Sequence, residues 1–300
     1  MAKKKKNEQL PEGMSRRQAK LAARAAERAA LASDPRPYKS LPAEAQLVAL
    51  QEFVPSAVAT ATINGIEINI VTVLPGAVAA LVREAELGGQ RFVALQVRNH
   101  SNNPARDLAY VLNWALNAAP GSTLDSAVAD GNQPEIASLL GDVTLEITEY
   151  QDFFWWLPED TELTPEMAQS LRTANNSVMP SFPIPNDDAG SAWWIDAGEK
   201  AHIRWVRTDD EEPLLRALAR VGAAGNLHLG EETKFAGVFR THGLIVPVFD
   251  LDPTVPHQEF IPAMQTLNGY INEQLGNDEQ LTPAERRQLE NIKSRQVTIR

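Results

Sequence analysis

The sequence predicts an α+β fold of two similar α/β lobes preceded by a basic N-terminal helix. Three observations predict it: helical and β-rich segments mix irregularly, hairpin signals join neighbouring strands, and the element order α-β-β-α-β-α occurs twice. Irregular mixing favours α+β lobes over the regular alternation of a doubly wound sheet. The repeated order indicates a tandem pseudo-repeat, although few identical residues support it.

The first lobe is predicted to contain three helices around a hairpin and a strand. Asn64-Gly65 is a strong signal for the hairpin turn, because both residue types tolerate positive φ. The predicted elements are a helix over 42–54, a β-rich hairpin over 63–73, a helix over 76–87, a strand over 91–98 and a helix over 105–118.

The rest of the chain is predicted to be a bridge, a second lobe and a final helix. In the bridge we expect a short helix near 134–140 and an aromatic strand over 152–157. The second lobe has a helix over 165–176, a β-rich hairpin over 192–206, a helix over 212–221, strands over 234–240 and 244–251, and a helix over 258–275. The final helix has Thr282 as its N-cap and Pro283 in its first turn.

These elements predict six parts of the chain. They are a disordered basic tail (1–14), a basic helix with its linker (15–34), a first α+β lobe (35–121), a bridge (122–163), a second α+β lobe (164–276) and a C-terminal helix with its tail (277–300).

Charge is divided unevenly along the chain. Its 300 residues include 28 basic and 39 acidic ones, for a net charge of −11. Residues 1–40 hold eleven basic and four acidic residues (+7), whereas residues 41–300 hold 17 and 35 (−18). An acidic body repels phosphate, which argues against one large nucleic-acid-binding domain.

Residues 1–34, the basic arm, are a candidate docking surface for an anionic partner such as the ribosome or RNA. Basic residues recur every fourth position from Arg16 to Arg28, which places them on one stripe of the predicted helix. The other interpretation is a solubilising tail. Membrane insertion is disfavoured because the opposite face is mostly alanine. The candidate binding residues are Lys3, Lys4, Lys5, Lys6, Arg16, Arg17, Lys20, Arg24 and Arg28.

Several classes of protein are excluded or disfavoured. The chain has no cysteine, which excludes disulfides and thiolate zinc sites. No apolar run approaches the ~20 residues that span a bilayer, and no apolar stretch follows the Lys3–Lys6 run as in a secretory signal. The five histidines lack metal-ligand spacing, and no glycine-rich phosphate loop is present. We therefore expect a cytoplasmic protein without metal or cofactor.

The densest polar cluster surrounds Gly243 and offers Arg240, His242 and Asp250 as catalytic candidates. The functional interpretation places Arg240 and His242 at a strand end as an anion clamp and a general base. The structural interpretation is a hairpin turn, with Arg240 paired to a carboxylate and His242 capping the turn. Convergence in a deep cleft would favour catalysis, whereas separate salt bridges would not.

Five of the six tryptophans form a second candidate site. One interpretation is a hydrophobic groove for a peptide or ligand. The other is that the aromatic strings lie where the two lobes meet. In a strand, each adjacent pair sends at most one ring to the same side. The residues are Trp155, Trp156, Trp193, Trp194 and Trp205.

Four strings of the body together resemble an uncharacterised actinobacterial domain-of-unknown-function family. They are 36–42 (RPYKSLP), 202–206 (HIRWV), 239–251 (FRTHGLIVPVFDL) and 294–298 (SRQVT). The resemblance covers roughly 36–300 and implies no activity or catalytic residue. In some relatives a cysteine-rich zinc motif precedes this body, and that motif is like the one at the C-terminus of SecA. The basic helix occupies that place here, and without cysteine the zinc motif cannot form.

The leading functional hypothesis is a non-enzymatic cytoplasmic adaptor. Its body would bind a protein or peptide, and its basic arm would dock on an anionic partner. The alternative is an enzyme with a site between the lobes near Arg240, His242 and Asp250.

Overall fold

The structure, a computed structural model, describes residues 34–298 except 159 and 187–189. The predicted disordered tail and basic helix therefore lie outside the described residues. Within these residues the chain forms seven α-helices and two six-stranded sheets. The predicted α+β class is confirmed, and the two sheets are compatible with a pseudo-repeat.

The elements follow the chain from the first sheet to the second. The helices are α1 Glu44–Glu52, α2 Pro104–Asn117, α3 Ile136–Leu140, α4 Pro165–Asn175, α5 Glu211–Ala223, α6 Ile261–Leu275 and α7 Pro283–Ser294. The strands are β1 Ala57–Ile63, β2 Ile66–Val71, β3 Ala80–Val82, β4 Arg91–Ala94, β5 Thr123–Leu124, β6 Glu146–Glu149, β7 Ser181–Ile184, β8 Ser191–Asp196, β9 Ala201–Val206, β10 Lys234–Thr241, β11 Leu244–Leu251 and β12 Val297–Thr298.

The two sheets share the order of five strands, but they differ in the edge strand beside them and in strand direction. The first runs β6-β1-β2-β4-β3-β5 and the second β7-β8-β9-β11-β10-β12. However, β4 is parallel to β2, whereas β11 is antiparallel to β9. The α-helix α5 connects β9 to β10, which run parallel, whereas no α-helix lies between β2 and β3, which run antiparallel.

The helix predicted over 76–87 is wrong. This segment forms short 3₁₀ turns on either side of β3, which pairs with both β4 and β5. Gly76 and Ala77 have φ of +72° and +54°, which an α-helix does not allow. Strand pairing buries Ala80 and Val82, and this tertiary gain outweighs local helix propensity.

The aromatic strand predicted over 152–157 is also wrong. A 3₁₀ turn, Phe154–Trp156, occupies this place, and the Asp152 carboxylate accepts a hydrogen bond of 3.0 Å from the Phe154 amide. The turn stacks Phe153 on Trp156, with ring centroids 4.3 Å apart. Consecutive aromatic rings thus pack against one another instead of alternating across a strand.

One continuous core joins the two sheets. It contains Leu47 of α1, Ile68 of β2 and Trp193 of β8, each almost fully buried. The other face of the second sheet packs on α5, α6 and α7, and Trp194 belongs to that second core. The alternation along β8 therefore places one tryptophan in each core. Helix α1 packs in the core that both sheets share. Each sheet therefore needs the other half of the protein to bury its apolar side chains.

Residues 34–44, the clamp segment, tie the start of the body to the second sheet. The Arg36 guanidinium donates two hydrogen bonds of 2.8 Å to the Glu44 carboxylate and one of 2.6 Å to the Thr208 carbonyl. Tyr38 is buried, and its ring centroid lies 5.7 Å from that of His242. The clamp thus fixes the point from which the basic arm leaves the body.

Candidate functional site

A cleft of about 360 Å³ opens on the second sheet beside the C-terminal end of α1. Strands β9, β10 and β11 form its floor, and the residue that follows α7 closes one side. We call it the β9–β11 cleft. Its charged and aromatic lining includes Glu52, Phe53, His202, Arg204, Asp250 and Arg295.

The strand register aligns the floor of the cleft. Arg204 lies opposite Val248, and Val248 lies opposite Gly237. His202 lies opposite Asp250, two residues away along each strand and therefore on the same face of the sheet. Gly237 follows a β-bulge and contributes no side chain to this floor, which lets Arg295 approach the strand closely.

Arg204 contributes a partly buried cation to the cleft. Its guanidinium carbon lies 5.6 Å from the ring centroid of Phe53, which is edge-on to Phe239 at 6.3 Å. Among the described residues, no hydrogen-bond acceptor or carboxylate pairs with it. Burial lowers the pKa of Arg204 because desolvation disfavours the charged form, yet an arginine stays protonated at neutral pH.

Both carboxylates of the cleft already have basic partners. Asp250 accepts a hydrogen bond from Lys200 at 2.7 Å and lies 3.1 Å from Nδ1 of His202. Glu52 lies 2.7 Å from Nε2 of His242. Burial raises the pKa of Asp250, but the hydrogen bond and charge of Lys200, together with His202, outweigh burial and lower it overall.

The structure does not bring the three catalytic candidates together. Arg240 pairs with Glu211 at the start of α5. It lies two residues after Val238, which faces the second core, whereas Asp250 lines the cleft on the other face. His242 occupies the hairpin turn before β11 with φ of +47°. Each candidate therefore has an ion pair of its own.

The five tryptophans also occupy separate places. Trp193 lies in the core between the sheets, Trp194 and Trp205 in the core on the other face of the second sheet, and Trp155 against the outer face of the first sheet. Trp156 donates from its indole nitrogen to the carbonyl oxygen of Val73 at 3.0 Å. Three of the five are buried, which supports a packing role for them.

The candidate residues of the basic arm, from Lys3 to Arg28, lie outside the described residues. In the part of the chain that is described, no group of three or more histidine, aspartate or glutamate side chains could hold a metal ion. None of the helices described here is long and apolar enough to cross a membrane.

Sequence reasoning missed Arg204, His202, Glu52 and Arg295 as site residues. One signal was present: His202 and Arg204 alternate with Ile203 and Trp205 in a strand that is otherwise apolar. Such alternation indicates one polar face. The approach of Glu52 and Arg295 depends on tertiary packing and leaves no local pattern.

Replacing Lys200 with methionine is expected to raise the pKa of Asp250 toward the ordinary value of 3.8, because the strongest opposing partner is removed. The pKa of Asp250 is lower in the folded than in the unfolded protein, so its ion pair stabilises the protein at pH values above the unfolded pKa. The contribution is lost as the pH falls through the folded pKa. Titration of the Asp250 carboxyl carbon by NMR measures the change.

Lys39→Met removes an exposed lysine of the clamp segment and is the control. An Asp250 pKa that does not move in Lys200→Met would contradict the assigned pairing.

The fold and cleft together define an α+β body with a cleft on its second sheet that is lined by apolar and charged side chains. The chain belongs to DUF5926, a family of unknown function, whose model matches residues 37–300. No curated protein and no solved structure matches the chain. The family match covers the body and leaves out the basic arm.

Proposed function

We propose that the protein is a non-enzymatic cytoplasmic adaptor whose basic arm docks on an anionic partner, the ribosome or RNA. The observation that carries the proposal is the division of charge, +7 over residues 1–40 against −18 over the rest. A short cationic segment on an acidic body attracts a polyanion at one end while the body stays clear of it. The body would bind a protein or peptide.

The separation of the three catalytic candidates supports binding over catalysis. A catalytic site requires its base and its anion-binding groups to converge on one substrate position. Arg240 instead pairs with Glu211, His242 lies 2.7 Å from Glu52, and Asp250 pairs with Lys200. The alternative, an enzyme that uses these three residues, would require side chains on opposite faces of the sheet to converge.

Deleting residues 1–33 is expected to abolish salt-dependent co-sedimentation with bacterial ribosomes. The truncation retains Arg36 and its bonds to Glu44, so the clamp segment is kept intact. Binding of the full chain at about 50 mM salt should weaken strongly at about 200 mM, because phosphate contacts release counterions. Ultracentrifugation of both proteins with ribosomes at the two salt concentrations measures this.

Thermal unfolding of the truncated protein provides the folding control. Equal co-sedimentation of the two proteins, or binding that does not respond to salt, would contradict the docking proposal.

A further inference from the structure

The β9–β11 cleft is lined by two arginines and two carboxylates, within a body that is acidic as a whole. Its two carboxylates, Glu52 and Asp250, are engaged by His242 and by Lys200 with His202. Arg204 and Arg295 also line the cleft, and neither has an ion-pair partner among the described residues. Within the described part of the chain, the guanidinium groups of these two arginines therefore have no anionic partner.

An unmatched, partly buried guanidinium is costly, because burial removes water from a charge without supplying a partner. The lowered pKa of Arg204 reflects that cost. The ring of Phe53 at 5.6 Å gives only a cation–π contact. An anion placed against the guanidinium would supply the missing charge and hydrogen-bond acceptors.

The cleft also has an apolar part. Phe53 and Phe239 meet edge to face in the cleft lining, and Arg295 lies close over Gly237. A methyl group at Gly237 would lie 3.2 Å from Cβ of Arg295. The volume of about 360 Å³ suits a small molecule and is too small for a folded partner.

We propose that the β9–β11 cleft binds a small organic carboxylate with an apolar body. The planar fork of Arg204 pairs with the carboxylate, Arg295 adds positive charge at the rim, and Phe53 and Phe239 contact the apolar part. The proposal concerns the body alone and does not depend on the basic arm.

Isothermal titration with phenylacetate, phenylacetamide and acetate tests the ligand class. Phenylacetate is expected to bind with a roughly millimolar Kd. The neutral amide and the ring-free acetate are each expected to bind at least about tenfold more weakly, since one lacks the charge and the other the apolar contact. Equal binding of phenylacetate and its amide, or no binding of phenylacetate at about 10 mM, would overturn the proposal.

Two variants locate the site. Arg204→Gln is expected to weaken phenylacetate binding at least about tenfold. Arg98→Gln removes an exposed arginine outside the cleft and is expected to leave binding unchanged. Equal losses in both variants, or none in Arg204→Gln, would place the ligand elsewhere and overturn the assignment.

Ligand-free stability separates a binding role from a structural one. Arg204→Met keeps the apolar stem and removes the unmatched charge, so its Tm without ligand is expected to equal or exceed that of the parent protein. A clear fall in Tm would show that Arg204 serves the fold and would contradict the proposal.

Discussion

Gly243→Ala is expected to destabilise the body far more than the matched change Gly65→Ala. Both glycines are second residues of two-residue hairpin turns, with φ of +75° and +78°. A methyl group at Gly65 meets nothing within 4 Å, whereas at Gly243 it would lie 2.3 Å from the Pro35 carbonyl oxygen. Gly65→Ala therefore has only backbone strain, about 1–2 kcal/mol.

Gly243→Ala adds a backbone collision to the same strain. The carbonyl belongs to the clamp segment, which cannot move without disturbing the bonds of Arg36. We expect an additional loss of about 1–3 kcal/mol, or failure to fold. Urea unfolding of the two variants measures the difference. Equal losses would show that the clamp segment does not pack on the hairpin turn as described.

Arg36→Met is expected to be the second severe change. Glu44 is only 3% exposed, and Arg36 neutralises it through two hydrogen bonds. Removing one partner of a buried ion pair leaves an uncompensated charge, which typically costs about 3–5 kcal/mol. The Thr208 carbonyl also loses a donor.

The double variant Arg36→Met with Glu44→Gln separates two effects on stability. One is the loss of the ion pair, and the other is the cost of a buried Glu44 carboxylate without a partner. It is expected to be more stable than Arg36→Met alone, because the buried carboxylate is gone. Chemical unfolding of the single and double variants measures the coupling. If Arg36→Met lowers the free energy of unfolding by less than about 1 kcal/mol, the Arg36–Glu44 pair does not act as a buried ion pair, since exposed pairs contribute no more than that.

Local chemistry made much of the fold predictable. Asn64-Gly65 predicts the first hairpin because the turn needs positive φ at both positions. The last helix begins where its N-cap signal predicts, with Thr282 and Glu285 forming a reciprocal capping box. In both cases the determining contacts lie within a few residues of each other.

The errors occur where distant partners decide the structure. Pairing of β3 with β4 and β5 overrides the helix predicted over 76–87. His242 takes its partner, Glu52, from 190 residues away. Arg204 could be recognised as polar from its strand pattern, but its place in a cleft depends on where α1 ends. Such long-range relations have no signature in a single sequence.

The salt dependence of ribosome binding shows whether the basic arm docks on a polyanion. Two variants carry the same charge change: one replaces Arg16, Lys20, Arg24 and Arg28 with glutamine, and the other replaces Lys39, Arg98, Arg172 and Lys293, all exposed residues of the body. Each phosphate contact contributes roughly 0.7–0.9 to the slope of log K against log salt.

The arm variant is expected to lose about 3 from that slope, while the body variant keeps the slope of the parent protein. Equal slopes in all three proteins would contradict docking through the basic arm.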